Sequence, residues 1–290
     1  MGIFITGGSG LLGSKVAELA LEDGYKVYSG YNNHKPEFGE TIKFNLSDPN
    51  SVVKTIGEVK PDIIVHSAAL TDVDKCELEK ELAYKINAMG TKIVADMSKK
   101  LNAFLIYIST DYVFDGEKGM YKEEDKTNPI NYYGYTKLAG ERYCRDFCIA
   151  RTCVIYGAKP ASGKVNFALW LINRLKNNES VKIVTDQFIT PTLNTNLAEM
   201  VLEIAEKKLK GIFHLAGATR VSRFEFAKNI ARTFGLDEHL IFPSKMSEME
   251  WVAKRPIDSS LDTTKARKTL NNKPYELEKA LKVLKKEIER

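Results

Sequence analysis

An apolar strand that runs through a glycine-rich turn into a helix constrains this chain more than any other feature. It reads Gly2-Ile3-Phe4-Ile5-Thr6-Gly7-Gly8-Ser9-Gly10-Leu11-Leu12-Gly13. Gly7 permits the tight turn after the strand, Gly10 lets backbone approach a pyrophosphate, and Gly13 lets the helix pack closely on a sheet. Free N–H groups and the dipole at the helix start favour an anion there. Gly8-Ser9-Gly10 fits the G-x-G-x-x-G spacing in a second register. An ordinary turn is the plain alternative. Its place between a strand and a helix makes a dinucleotide site the sharper reading.

Strands and helices then alternate. Tyr25–Ser29, Thr41–Asn45, Ile63–His66, Phe104–Ile108 and Ile149–Tyr156 read as strands. Leu11–Glu22, a segment opening at Ser47-Asp48-Pro49, and a long stretch from about Glu79 to Lys100 read as helices. Continuous apolar strands alternating with helices predict an α/β fold, a doubly wound (Rossmann) parallel sheet. After about residue 157 the rhythm breaks, and 163–190 and 218–256 carry few strand signals. Helix Asn196–Lys207 and strand Ile212–Leu215 return to the first pattern. The expected division is a dinucleotide-binding domain of 1–160 plus about 192–217. A smaller, discontinuous α/β substrate lobe takes about 161–191 and 218–290. The cleft between them is the expected ligand site.

Composition excludes several classes. The net charge of +5 is spread along the chain, and its lysine clusters lack the aromatic interleaving of a nucleic-acid surface. No apolar run approaches the roughly 18 to 20 residues of a membrane span. Met1 leads straight into a strand, so no leader is expected and a cytoplasmic location is. Cys144, Cys148 and Cys153 lie close together without a completing histidine or fourth cysteine. Small buried hydrophobes, and no metal site, are the expectation.

Two features carry chemistry. The second strand ends in Ser29-Gly30-Tyr31-Asn32, without the carboxylate that would bind an adenosine ribose and repel a 2′-phosphate. His34 and Lys35 follow, so NADPH is expected, with NADH as the alternative. Gly30 and Tyr31 are candidate cofactor contacts. The second feature is a tyrosine four residues before a lysine, a spacing that sets both on one helix face. It occurs three times: Tyr31/Lys35, Tyr133/Lys137 and Tyr275/Lys279. Only Tyr133/Lys137 follows a strand whose end carries Ser109-Thr110, where ligands of a doubly wound sheet bind. There a hydroxyl, a phenol and an ammonium can converge on one carbonyl oxygen. The ammonium is expected to lower the tyrosine pKa from its usual value of about 10.

Together these residues resemble the extended short-chain dehydrogenase/reductase family, and within it the dTDP-4-dehydrorhamnose reductase family, over nearly the whole chain. The resemblance rests on Ala68-Ala69-Leu70-Thr71-Asp72-Val73-Asp74, Ser109-Thr110-Asp111-Tyr112-Val113-Phe114 and Asn131-Tyr132-Tyr133-Gly134-Tyr135-Thr136-Lys137. Asn166-Phe167, Asp186-Gln187-Phe188 and Arg255-Pro256 extend it. It implies an NAD(P)H-dependent oxidoreductase that reduces the 4-keto group of a dTDP-6-deoxy-4-keto-hexose. It implies Thr110, Tyr133 and Lys137 as the catalytic trio, with Tyr133 the proton donor and Lys137 also a partner of the nicotinamide ribose. Cofactor contacts are implied at Gly7, Ser9, Gly10, Leu11, Leu12 and Gly13, at Asn45-Leu46, at Ala68-Ala69, and at Tyr133 and Lys137. Substrate contacts are implied at Thr71, Val73, Thr110, Asn166 and Arg255, the last toward a diphosphate or in a surface ion pair. Related 4,6-dehydratases read Thr-Asp-Glu where this chain reads Thr110-Asp111-Tyr112, which points to simple ketone reduction. Val154 stands where family reductases carry a tryptophan at the sugar. The regulatory β subunit of methionine adenosyltransferase shares that difference, so a nucleotide-binding regulatory subunit is the second reading, with a nucleotide-sugar epimerase the third. The expected partner is a nucleotide-diphosphate sugar, with no nucleic acid and no membrane; a homodimer is left open.

Overall fold

The computed structural model describes residues 1–289. Strand β1 (Gly2–Thr6) leads into helix α1 (Leu11–Glu22), followed by β2 (Lys26–Tyr31), β3 (Glu40–Lys43), α2 (Pro49–Val59) and β4 (Ile63–His66). Asp48 caps α2 by accepting from the Asn50 N–H at 3.0 Å, and Pro49 takes the first helical position, where a missing N–H costs nothing. Next come α3 (Val73–Leu78), α4 (Lys80–Tyr84), α5 (Thr91–Leu101), β5 (Phe104–Thr110), α6 (Tyr132–Tyr143) and β6 (Cys148–Thr152). The rest forms β7 (Ile155–Tyr156), α7 (Phe167–Lys176), β8 (Val181–Val184), β9 (Phe188–Ile189), β10 (Thr192–Leu193), α8 (Asn194–Lys207) and β11 (Gly211–His214). The last elements are β12 (Val221–Ser222), α9 (Arg223–Phe234), β13 (Ile241–Ser244), α10 (Thr264–Thr269) and α11 (Leu277–Ile288).

Seven parallel strands in the order β3-β2-β1-β4-β5-β6-β11 form the sheet. Order runs outward from β1 in both directions, so the crevice at the carboxyl ends of β1 and β4 is the topological switch point of a doubly wound fold. Ile3, Phe4, Ile5, Ile63, Ile64 and Val65 are fully buried. Both faces are covered: α1 and α8 pack on one with Val16, Leu197 and Val201, and α2 and α5 on the other with Val52, Ile56 and Val94. Each such side chain contributes about 1.5–3 kcal/mol when withdrawn from water. A separate apolar cluster joins α7, α9 and α11 to the pair β8–β13 through Leu171, Ile172, Phe226, Ile230 and Leu281. Short pairs β7–β10 and β9–β12 stitch the segments between.

Two predicted elements are interrupted. The helix expected from about Glu79 to Lys100 is α4 and α5 joined by one wide π-turn, Lys85–Gly90. The strand expected over Ile149–Tyr156 stops at Thr152 and resumes at Ile155, paired with β10 instead of the large sheet. Val154 between them has φ +37°. That left-handed geometry is rare for a β-branched residue, and pairing cannot pass through it.

Candidate active site

The carboxyl ends of β1, β2, β4, β5 and β6 open into a cleft of about 780 Å³. At one end is the glycine-rich turn. Gly7 has φ +71°, and Gly10 N–H closes the turn on the Gly7 carbonyl at 2.9 Å. A Cβ on Gly13 would stand 2.2 Å from that same carbonyl oxygen, so α1 can pack this close only without a side chain there. The start of α1 has no side-chain cap. Its first N–H groups therefore have no partner within the helix, and Ser9, Gly10, Leu11 and Leu12 line the cleft. This is a cradle that fits a dinucleotide pyrophosphate.

Around it stand Tyr31 at the end of β2, Asn45 and Leu46 after β3, and Ala68, Ala69, Thr71 and Val73 after β4. Gly30 does not face the cleft: its missing Cβ leaves room for Phe44 and Phe4. His34 reaches the cleft, whereas Lys35 is absent from its wall. The strip after β4 is held by Ala68 N–H donating to Thr6 Oγ1 at 3.1 Å and by Leu70 N–H donating to Asn87 Oδ1 at 2.8 Å. Asn87 Nδ2 donates in turn to the Leu70 carbonyl and to Thr136 Oγ1, both at 3.0 Å. The π-turn that carries Asn87 is a device often found at functional sites. Sequence reasoning missed this residue, whose one trace was a polar side chain on the buried face of a helix.

At the other end of the cleft Thr110, Tyr133 and Lys137 meet. Asn131 caps α6, accepting from Gly134 N–H at 2.9 Å, which places Tyr133 in the first turn and Lys137 one turn on. Helix α6 is anchored beneath by Glu141, which takes Arg151 Nε at 2.9 Å and Nη2 at 2.8 Å and also accepts from Ser109 Oγ at 2.6 Å. Thr110 Oγ1 donates to Asp111 Oδ1 at 2.9 Å and accepts from the Tyr112 N–H at 3.2 Å. Burial pushes the Asp111 carboxyl above its ordinary range.

The expectation that Lys137 lowers the Tyr133 pKa does not hold. Burial raises the Tyr133 pKa well above its ordinary value, with the Thr110 hydroxyl pulling modestly the other way. The Lys137 ammonium is committed elsewhere: Nζ donates to the Ile108 carbonyl at 2.7 Å and sits 4.1 Å from the centre of the Tyr107 ring. Its own burial lowers its pKa to about 7. Desolvation outweighs attraction between the two groups. At neutral pH Tyr133 keeps its proton.

Asn166 lines the cleft, caps α7 by accepting from the Leu169 N–H at 3.3 Å, and donates from Nδ2 to the Gly157 carbonyl at 2.9 Å. Arg255 is elsewhere. It pairs with Asp74 at 3.0 Å, lies 5.4 Å from the Trp251 ring centre, and faces a second cavity of about 320 Å³ with Trp170 and Arg223. Tyr112 borders both cavities. His66 is structural, bridging Thr6 and Thr91 at 2.7 and 3.0 Å. Burial, then the charge of Lys137, takes its pKa down to about 3. All four cysteines are buried. Among the described residues no helix is long and apolar enough to cross a membrane.

A family model described as the RmlD substrate binding domain matches residues 1–290. A crystal structure of a hypothetical dTDP-4-dehydrorhamnose reductase from Sulfolobus tokodaii is 41% identical. It covers 93% of this chain and 95% of that one, with a TM-score of 0.85. A dTDP-4-dehydrorhamnose reductase from Bacillus anthracis, solved in complex with NADP, is 32% identical over 99% of each chain, with a TM-score of 0.89. The probable low-salt glycan biosynthesis reductase Agl14 of Haloferax volcanii is 35% identical over 90% of this chain and 89% of its own length.

Proposed function

The chain belongs to the RmlD substrate binding domain family, and we propose that it is an NAD(P)H-dependent reductase of nucleotide-linked 4-keto sugars. The substrate of this reading is a dTDP-6-deoxy-4-keto-hexose, with dTDP-4-dehydrorhamnose converted to dTDP-L-rhamnose as the type reaction. One observation carries it: Thr110, Tyr133 and Lys137 converge at the end of β5 in the same cleft that the uncapped start of α1 opens into.

NADPH, with NADH as the alternative, supplies the hydride that the carbonyl carbon gains. Leu11 and Leu12 at the start of α1 would hold its pyrophosphate, and Ala68 and Ala69 on the cleft wall would contact it between there and Lys137. Tyr133 delivers its phenol proton to the carbonyl oxygen, which leaves a hydroxyl on the sugar. With its pKa raised the phenol arrives protonated but is a weak acid, so the negative charge that builds on the carbonyl oxygen as hydride adds must draw the proton across. The Thr110 hydroxyl, which here gives its proton to Asp111, turns that proton toward the carbonyl oxygen once substrate is present. Thr71, Val73 and Asn166 border the sugar, and Arg255, across Tyr112, stands toward the diphosphate. The aromatic pair Tyr112 and Tyr133, ring centres 5.9 Å apart and near-perpendicular, keeps the phenol in place.

The test is oxidation of NADPH driven by dTDP-4-dehydrorhamnose. Tyr133→Phe removes the proton donor and is expected to lower kcat by about 10²–10⁴-fold while KM changes little. Undiminished turnover by Tyr133→Phe would remove the phenol from the mechanism.

A further inference from the structure

The segment that follows β7 turns back on itself at Ala161-Ser162-Gly163-Lys164. Ala161 N–H donates to the Lys164 carbonyl at 3.0 Å, and Lys164 N–H to the Ala161 carbonyl at 2.9 Å. The two central residues are both left-handed, Ser162 at φ +50° and Gly163 at φ +72°. This is the tight two-residue hairpin turn whose central positions favour glycine or asparagine. Glycine adopts it freely, whereas serine is strained.

What the serine does there is visible. Ser162 Oγ donates to the Ser9 carbonyl at 2.9 Å and lies 3.2 Å from Ser9 Oγ. One residue on, a Cβ added to Gly163 would stand 3.3 Å from the His34 ring. The hairpin tip is therefore bonded to the glycine-rich turn and lies close to the loop after β2. Lys164, exposed, lines the same cleft. Around it the loop after β2 presents Tyr31, Asn32, Asn33 and His34 to the cleft, and no carboxylate. Lys35, adjacent to His34 in sequence, is not on the wall, and Lys164, from the far side of the cleft, is.

We propose that this tip is a clasp over the adenosine end of the cofactor, and that Lys164, which lines the cleft with His34, is a specificity-determining residue that recognises the 2′-phosphate of NADPH. The inference rests on reading the cleft as a dinucleotide site. An ammonium on a flexible stem is a point charge suited to a phosphate monoester dianion, and its exposure makes the attraction sensitive to salt. Because Ser162 ties the tip to Ser9, the clasp must loosen for either dinucleotide to leave.

Dissociation constants for NADPH and NADH, measured by calorimetry on the full-length protein and its variants, test this. Lys164→Gln is expected to weaken NADPH about tenfold and NADH less than twofold, with the NADPH preference shrinking as salt is added to the wild type. Ser162→Ala is expected to speed release of both dinucleotides alike in stopped-flow chase experiments. An unchanged NADPH-to-NADH ratio in Lys164→Gln would overturn the assignment. Equal affinity of the wild type for the two dinucleotides would overturn it too, leaving the cleft's reading intact. A wild type that binds neither would fell the dinucleotide reading itself, and the clasp with it. Exposed Lys164 makes no contact that folding requires, and a matching thermal melt for the variant checks that.

Discussion

The two walls of the cleft are built by different means. The wall at the ends of β1, β4 and β5 hangs from a parallel ladder, where each residue is held by several neighbours in register. The opposite wall, from Cys153 to Asn166, has only the two-residue pairing of β7 with β10 and is otherwise tied by single side-chain bonds. Thr192 Oγ1 donates to the Cys153 carbonyl at 2.6 Å, Asn166 Nδ2 to the Gly157 carbonyl at 2.9 Å, and Ser162 Oγ to the Ser9 carbonyl at 2.9 Å. The ladder fixes chemistry that must not move. The side-chain bonds allow the second wall to change without disturbing the sheet.

The contrast can be broken at its strongest point. Arg151 and Glu141 are both nearly inaccessible and tie α6 to β6. Arg151→Met leaves the Glu141 carboxylate buried without its partner, and urea unfolding should report a loss of about 3–5 kcal/mol. Adding Glu141→Leu should recover much of it. A loss below about 1 kcal/mol in the single variant would mean that α6 is held by packing alone.

An effect of similar total size, spread over about three pH units, is expected from Lys137. Its folded pKa near 7 lies below the ordinary lysine value of 10.5, so between those limits the unfolded chain binds more protons. Stability should therefore rise with pH from about 7 to 10, with a slope approaching ~1.4 kcal/mol per pH unit. Below pH 7 the penalty of the buried charge is fully present. Chemical denaturation of wild type and Lys137→Met reads this, and the slope should be missing from the variant. A parallel pH profile for the two would show that the lysine stays charged.

The smallest effect on stability, and a large one on selectivity, belongs to the other wall. Val154→Gly relieves the left-handed strain, worth about 1–3 kcal/mol, while losing a partly buried side chain. The net change in the unfolding midpoint should stay within about 1 kcal/mol. The ratio of kcat/KM values for two nucleotide sugars differing at the ring substituents should shift. Equal change in both substrates would place Val154 outside the specificity wall.

What was legible in the chain follows the same division. The glycine turn, the capped start of α2 and the Tyr133/Lys137 helix are local patterns, set within about a dozen residues, and they could be read directly. Asn87 depends on a π-turn that no spacing announces. The break at Val154 depends on Thr192, and the placement of Arg255 in a second cavity depends on Asp74 and Trp251. The direction of the Tyr133 shift was misread for a related reason: an ion pair can be guessed from spacing, but burial is a property of the assembled fold.

The four cysteines have a consequence beyond filling space. Burial raises the thiol pKa of Cys76, Cys144 and Cys148 to about 12 and that of Cys153 further. In the closed molecule the reactive thiolate is almost absent, so alkylation must wait for the surrounding stretch to open. Cys76 lies beside the cleft in α3, Cys148 begins β6 in the sheet, and Cys153 marks the strand break. With Cys144 at the end of α6, the chain thus carries four native clocks, and the order in which they are labelled records which part of the molecule breathes first.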